Sequence, residues 1–133
     1  AIRQAGLEVK KEYIKTGRHS TELGYEKMKE LLALPNRPTA VLMGNYDTML
    51  GAVLAVNEST ISCPEDISLI GFDSLMITGL IRPSWYMVEQ PMEKICNKAV
   101  ELLLRRVEGK DEAPVKICFG TKIQEGESIR TIE

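Results

Sequence analysis

The stretch that decides the fold reads EDISLIGFD and covers residues 65–73. Its apolar centre predicts a buried strand that ends at Gly71, with an acid, Asp73, two residues further on. A second stretch, TAVLMGN at residues 39–45, has the same design and ends at the polar Asn45. In open parallel sheets, ligands bind at the carboxyl ends of the strands. We therefore expect Asn45 and Asp73 to face one shared small-molecule site.

The rest of the chain alternates strand and helix patterns, as is typical of crossover units on a parallel sheet. Ser20 is placed to cap a helix that begins at Thr21. Predicted helices cover residues 21–33, 45–58 and 91–107, and predicted strands cover residues 12–15, 39–43, 67–70, 86–88 and 115–119. The fold class is therefore α/β with a parallel sheet.

The composition indicates one domain without a strong charge. The chain has 133 residues, of which 44% are hydrophobic and 27% charged, and its net charge is -2. This balance argues against a nucleic-acid surface, which needs clustered Lys and Arg. No apolar run reaches the ~20 residues of a membrane span, and no signal-peptide pattern opens the chain. Residues 1–6 resemble the last turn of a helix, which predicts a piece of a longer protein.

The cysteines and the missing motifs exclude several kinds of site. Cys63, Cys96 and Cys118 are far apart and show no metal-ligand spacing, so packed thiols in a reducing cytoplasm are expected. The sequence has no nucleophile elbow, phosphate loop or dinucleotide turn. His19, the sole histidine, has no identifiable nucleophile partner. We predict that the chain is not an enzyme and takes no cofactor or metal.

Two interpretations of the polar strand ends remain open. The Asn45 amide offers a donor and an acceptor, and an ionised Asp73 accepts several hydroxyl hydrogen bonds, which suits a sugar. Alternatively, Asn45 or Asp47 caps the following helix and Asp73 opens a turn. Residues 48–56 of that helix are apolar nearly all round. This predicts a helix buried on several sides, either deep in the fold or against a partner subunit.

Several stretches together resemble the effector domain of the lactose-repressor (LacI/GalR) family of transcriptional regulators. The matching segments are PTAVLMGNYD at 38–47 with LGA at 50–52, PEDISLIGFD at 64–73, RP at 82–83 through VEQP at 88–91, and GY at 24–25. Their order and spacing agree with the family over essentially the whole chain.

The resemblance implies a type I periplasmic-binding-protein-like fold. This is a three-layer α/β architecture with a parallel sheet in each of two subdomains and the effector between them. Residues 1–90 would form the C-terminal subdomain, 91–120 a crossover helix and strand of the N-terminal subdomain, and 121–133 a return segment. Without that subdomain, we expect helix 91–107 to pack elsewhere, swap or remain exposed.

The resemblance also implies a set of site residues. Asn45, Asp73 and Gln90 match positions that line the effector pocket, where they would hydrogen-bond to effector hydroxyls. His19 and Met92 lie near positions that are often aromatic in the family, and would pack against the effector. The chain departs from the family at Asn45, which is followed by Tyr46 where many members have Asp, and at His19, which replaces a sugar-stacking ring.

The family further suggests a homodimer, with Met49, Val53 and Val56 at the interface. The expected function is an effector-binding and dimerisation module that senses a small metabolite, a sugar, in the cytoplasm. Operator DNA would be bound by a helix-turn-helix domain outside these residues. The alternatives are a solute-binding protein of a sugar transport system and, less favoured, a sugar-processing enzyme. A helix-turn-helix or a signal peptide ahead of Ala1 would decide between regulator and transporter.

Overall fold

The computed structural model describes residues 2–73, 82–110 and 113–132, and these form an α/β fold. The strands are β1 (Ala40–Leu42), β2 (Ser68–Phe72), β3 (Tyr86–Glu89) and β4 (Lys122–Gln124). The α-helices are α1 (Thr21–Leu32), α2 (Tyr46–Asn57) and α3 (Met92–Val107). Short 3-10 helices cover Arg3–Ala5 and Lys11–Tyr13. None of the described helices is long and apolar enough to cross a membrane.

The sheet has the strand order β1-β2-β3-β4. β1 pairs with β2 and β2 with β3 in parallel, as predicted. β4 pairs antiparallel with β3 and places Ile123 opposite Val88, so the sheet is mixed. The antiparallel strand belongs to the predicted return segment 121–133, which comes back along the free edge of β3.

The core lies between the sheet and helices α1 and α2. Its completely buried apolar side chains are Met49 on α2, Leu69 on β2, Met87 on β3 and Ile67 just before β2. Gly71 of β2 lies under this layer, and a Cβ there would come within 2.7 Å of the Met49 sulfur. Methionine is flexible enough to fill such a gap, so α2 can sit directly on the centre of the sheet.

Helices α1 and α2 cross at two glycines. A Cβ on Gly51 of α2 would lie 1.9 Å from the Thr21 carbonyl oxygen, and one on Gly24 of α1 would lie 2.3 Å from the Thr48 carbonyl oxygen. Both neighbours are backbone atoms, which cannot turn aside as a side chain can. The two helices can therefore approach this closely only because neither residue has a side chain.

The apolar character of α2 is largely explained by the chain's own core. Met49 is completely buried and Val56 is buried beside it. These two side chains offer no surface to a second copy, so their expected place at a dimer interface is corrected. Leu54 is exposed and Leu50 and Val53 are half-buried, and these three residues contribute outward apolar surface on α2.

Helix α3 has no buried residue. The apolar side chains on it that are exposed include Met92, Val100, Leu103, Leu104 and Val107. Of the outcomes expected for this helix, the structure shows the one in which it remains exposed. Its backbone hydrogen bonds lie within the helix, so it keeps its secondary structure without a sheet beneath it.

Two predicted strands are absent from the described residues. Residues 12–15 include the end of the 3-10 helix Lys11–Tyr13, and residues 115–119 form no regular element. A strand needs a neighbour to satisfy its backbone groups. Val115 and Ile117 are exposed and lack one, so their alternating pattern does not produce a strand.

The return segment is fixed by Ser128, which is completely buried. Its hydroxyl donates to the Leu69 carbonyl and accepts from the Tyr86 amide at 2.8 Å. Its own carbonyl accepts from the Leu69 amide at 2.8 Å and from the Cys63 thiol at 3.6 Å. This one residue therefore joins β2 to the start of β3.

We predict that Gly51→Ala destabilises the protein severely, because the new methyl group would overlap backbone of α1. The free energy of unfolding should fall by about 3 kcal/mol, measured by urea denaturation of the full-length protein. Gly44→Ala is the matched control, since a Cβ there meets nothing within 4 Å. Equal stability of the two variants would contradict the close crossing of α1 and α2.

We predict that the three cysteines differ in reactivity. Burial, with a further contribution from the charge of Glu65, raises the pKa of the Cys63 thiol to about 11, whereas Cys96 and Cys118 are exposed. At pH 8 only about one Cys63 thiol in a thousand is then the reactive thiolate. Iodoacetamide labelling followed by peptide mass spectrometry should therefore modify Cys96 and Cys118 well before Cys63. Equal labelling of all three cysteines in the native protein would contradict the buried setting of Cys63, whereas equal labelling after unfolding is the expected control result.

Candidate functional site

The parallel strands bring three polar residues to one edge of the sheet. Asn45 follows β1, Asp73 follows β2 and Gln90 follows β3, each within three residues of the strand end. Because β1, β2 and β3 run in the same direction, all three residues lie at the carboxyl edge. This is the edge at which open parallel sheets bind ligands.

Asp73 adopts a backbone conformation that is uncommon for a residue with a side chain. Its φ is 71°, in the left-handed region that Asp and Asn tolerate better than most residues. Its amide donates to the Val88 carbonyl at 3.1 Å, which holds the turn against β3. The alternative interpretation, in which Asp73 opens a turn, is therefore correct for its backbone.

The Asp73 side chain is nevertheless directed to a specific partner. Gln90 donates a hydrogen bond from Nε2 to the Asp73 Oδ1 atom, and both residues are half-buried. A carboxylate accepts several hydrogen bonds through its two oxygens, so this bond leaves acceptor capacity on Asp73. Gln90 retains an amide oxygen as an acceptor. The pair can therefore both donate to and accept from a ligand hydroxyl.

Asn45 is the N-cap residue of α2. Its Oδ1 accepts from the Thr48 amide at 3.1 Å and also from the Thr48 hydroxyl. The capping interpretation of Asn45 is thus correct, and it is compatible with a ligand contact because the cap uses only the side-chain oxygen. The amide nitrogen is a donor that the cap does not require.

Asn45 and His19 line a common cavity of about 290 Å³. The cavity lies between residues 13–19, helix α1 and strand β1, and its apolar wall includes Met28 and Met43. Asp73, Gln90 and Met92 are not among its lining residues. The five candidate residues therefore form two groups, Asn45 with His19 and Asp73 with Gln90. Met92 stands apart at the start of α3 and is 55% exposed.

Two lysines that line this cavity were not identified as site residues from the sequence. Lys15 and Lys27 both line it, and both contact Glu30, Lys15 at 2.8 Å and Lys27 at 2.5 Å. Their hydrogen bonds lower the pKa of the Glu30 carboxyl. No motif could have revealed them, because Lys15 reaches α1 only through the fold of residues 13–19. One signal was available: Lys27 and Glu30 are three residues apart on α1 and so share a helix face.

The segment that carries Lys15 and His19 is held in place at both of its ends, by Tyr13 at the start and by Ser20 at the end. The Tyr13 hydroxyl donates to the Asn36 carbonyl, which lies in the loop after α1. At the end of the segment, the Ser20 hydroxyl accepts a hydrogen bond from the Leu23 amide at 3.2 Å and caps α1, as predicted. These two contacts hold residues 13–20 over the cavity as its outer wall.

Within residues 2–73, 82–110 and 113–132, no three His, Cys, Asp or Glu side chains cluster in a way that could hold a metal ion. In this part of the chain, the residues that line the cavity provide hydrogen-bonding groups, two lysines and an apolar wall.

Comparison with known proteins places the chain among regulators. A family model of the periplasmic binding protein-like domain matches residues 1–129. The chain is 35% identical over 132 residues to ExuR of Bacillus subtilis (strain 168), a probable HTH-type transcriptional repressor, covering 99% of this chain and 40% of that protein. It is 33% identical over 129 residues to the HTH-type transcriptional repressor PurR of Yersinia pestis (strain Pestoides F), covering 97% of this chain and 38% of that protein.

Comparison with solved structures also finds a transcriptional regulator. The transcriptional regulator CelR, solved in complex with cellobiose, superposes with a TM-score of 0.87 at 26% identity, covering 96% of this chain and 39% of that one. The chain thus spans about two fifths of the length of these relatives. The two curated relatives are transcriptional repressors, not enzymes. With a family model matched over nearly its whole length, this chain belongs to the periplasmic binding protein-like domains, and within them to the effector-binding domains of LacI-family regulators.

Proposed function

We propose that this chain supplies one wall of the effector site of a cytoplasmic transcriptional regulator, and that the effector is a small metabolite of the sugar class. The observation that carries the proposal is the Asp73–Gln90 hydrogen bond at the carboxyl ends of β2 and β3. A paired carboxylate and amide on a fixed turn suits adjacent hydroxyl groups, because the two together offer donors and acceptors. The cellobiose bound to CelR supports the sugar class by similarity.

The second wall of the site would come from residues outside this chain and from segment 91–120. The support is helix α3, which starts at Met92, two residues after Gln90, and buries none of its residues. A 16-residue helix with this many exposed apolar side chains normally packs against another layer. We therefore retain the division into a subdomain at 1–90, a crossover at 91–120 and a return segment at 121–133 as part of the proposal.

In the proposed mechanism the effector shifts the balance between two orientations of the subdomains. A ligand can do this only if it binds one orientation more tightly than the other. Contact with Asp73 would bear on that balance, because its partner Gln90 is the last residue before segment 91–120, which carries α3. DNA would be bound by a helix-turn-helix domain outside these residues, as the names of the two repressor relatives suggest.

The regulator would act as a homodimer. Half-buried Leu50 and Val53 and exposed Leu54 contribute outward apolar surface on α2, and these residues would contact a partner in place of Met49 and Val56. Three such residues are a small patch, so we expect the interface to extend beyond them into neighbouring loops.

We predict that Asp73→Asn weakens effector binding without disturbing the fold. Asn keeps the tolerance for a positive φ, while the change removes the charge, which is worth roughly 1.5–3 kcal/mol in a charge-assisted hydrogen bond. The effector is first found by a thermal-shift screen of sugars, including cellobiose, on the full-length protein. Titration calorimetry should then show about a tenfold or greater loss of affinity for Asp73→Asn and for Gln90→Ala.

Glu26→Gln on the exposed surface of α1 is the matched control, since it removes one acid without touching the strand ends. Binding that is unaffected by both site variants, with all three proteins folded, would contradict the proposed site.

A further inference from the structure

We propose that the effector carries an acidic group, a carboxylate or a phosphate, which binds beside Lys15 and Lys27 in the cavity shared by Asn45 and His19. This inference rests on the proposed function and specifies the chemical class of its ligand.

The described residues that line the cavity include two lysines and a histidine, and none of them is Asp or Glu. A cavity built to hold only hydroxyl groups needs no such one-sided charge. A cationic lining attracts anions, because a cleft with one sign of charge raises the local concentration of the opposite sign.

Glu30 balances only one of the two lysines. Its single carboxylate contacts Lys15 through Oε2 at 2.8 Å and Lys27 through Oε1 at 2.5 Å. Two ammonium groups around one carboxylate leave a surplus of one positive charge. Glu30 itself does not line the cavity, so the two lysines that do line it are balanced by a carboxylate outside the cavity lining.

The lysine side chains are partly shielded from water, with 23% of Lys15 and 31% of Lys27 exposed. Charges interact more strongly in such a setting than on an open surface. A ligand anion would therefore gain more from the surplus charge here than from lysines in full contact with water.

The remaining walls fit the rest of a small acidic metabolite. Met28 and Met43 are nearly completely buried and give an apolar wall for the carbon skeleton. The Asn45 amide nitrogen offers a hydrogen-bond donor. The volume of about 290 Å³ is at the lower end of the range for small-molecule sites, which suits one ring or a short chain with a single acidic group.

The competing explanation is that the Lys15–Glu30–Lys27 cluster only fastens residues 13–19 to α1. Partly exposed ion pairs contribute little to stability, and such a cluster has no need to face a cavity. The two explanations differ in the sign of the effect expected when Glu30 is neutralised, because a purely structural cluster loses its function when either partner is changed.

The test compares matched ligands on the full-length protein by thermal shift and titration calorimetry. The probes are D-glucose, D-galactose and D-mannose, each beside its aldonate, its uronate and its phosphate ester. We expect an acidic member to bind at least tenfold more tightly than its neutral parent. Carboxylate and phosphate arms are scored separately, and whichever binds identifies the acidic group.

Charge variants then test the cavity with the ligand so found. Lys15→Gln and Lys27→Gln should each weaken its binding about tenfold, as expected for a charge-assisted contact, whereas Glu30→Gln should tighten it several-fold. Lys29→Gln is the matched control, because Lys29 is an exposed lysine of the same helix that does not line the cavity. Its binding should be unchanged.

Several results would overturn the inference. It fails if no acidic probe binds, if a neutral sugar binds as tightly as its acids, or if Glu30→Gln weakens binding as much as the lysine variants do. A neutral sugar whose binding depends on Asp73 would overturn this inference alone and leave the proposed function standing. Binding of an acidic ligand that depends on Lys27 but not on Asp73 would support this inference and contradict the proposed role of the Asp73–Gln90 pair.

Discussion

Helices α1 and α2 meet so closely that neither can carry a side chain at the crossing, and the arrangement of the candidate site depends on this contact. Gly24 and Gly51 press against backbone atoms of the opposite helix. The contact sets the first turn of α1 beside the first turn of α2, because it involves Thr21 of one and Thr48 of the other. His19 precedes the first helix and Asn45 caps the second, so the crossing brings these two candidate residues to one cavity.

A second constraint acts on the other half of the site. Parallel pairing places the ends of β2 and β3 side by side, and the left-handed turn at Asp73 lets the chain leave β2 while its amide still bonds to β3. The carboxylate is thereby held where Gln90 can reach it. Both halves lie along one edge of the sheet, and α3 begins at Met92, two residues after Gln90. The candidate ligand-binding groups therefore lie next to the segment proposed to enter the other subdomain.

Much of this could be predicted from the sequence, where the determinants are local. The apolar runs that end in glycine gave β1 and β2, Ser20 marked the start of α1, and heptad-like spacing gave α3. The predictions were wrong where contacts with distant parts of the chain decide the secondary structure or the burial of a side chain. Residues 115–119 alternate like a strand but have no neighbour, and Met49 and Val56 look like interface residues but fill the chain's own core. Lys15 was missed because its approach to Glu30 depends on how residues 13–19 fold over α1.

We propose that the carboxyl edge of β1, β2 and β3 contacts the effector. A crystal structure of the full-length protein with its effector bound would test this contact. We predict ligand atoms within hydrogen-bonding distance of the Asp73 carboxylate and of the Asn45 amide, with His19 in contact with the same molecule. A ligand bound away from this edge, with the Asp73–Gln90 pair untouched, would show that the effector site lies elsewhere.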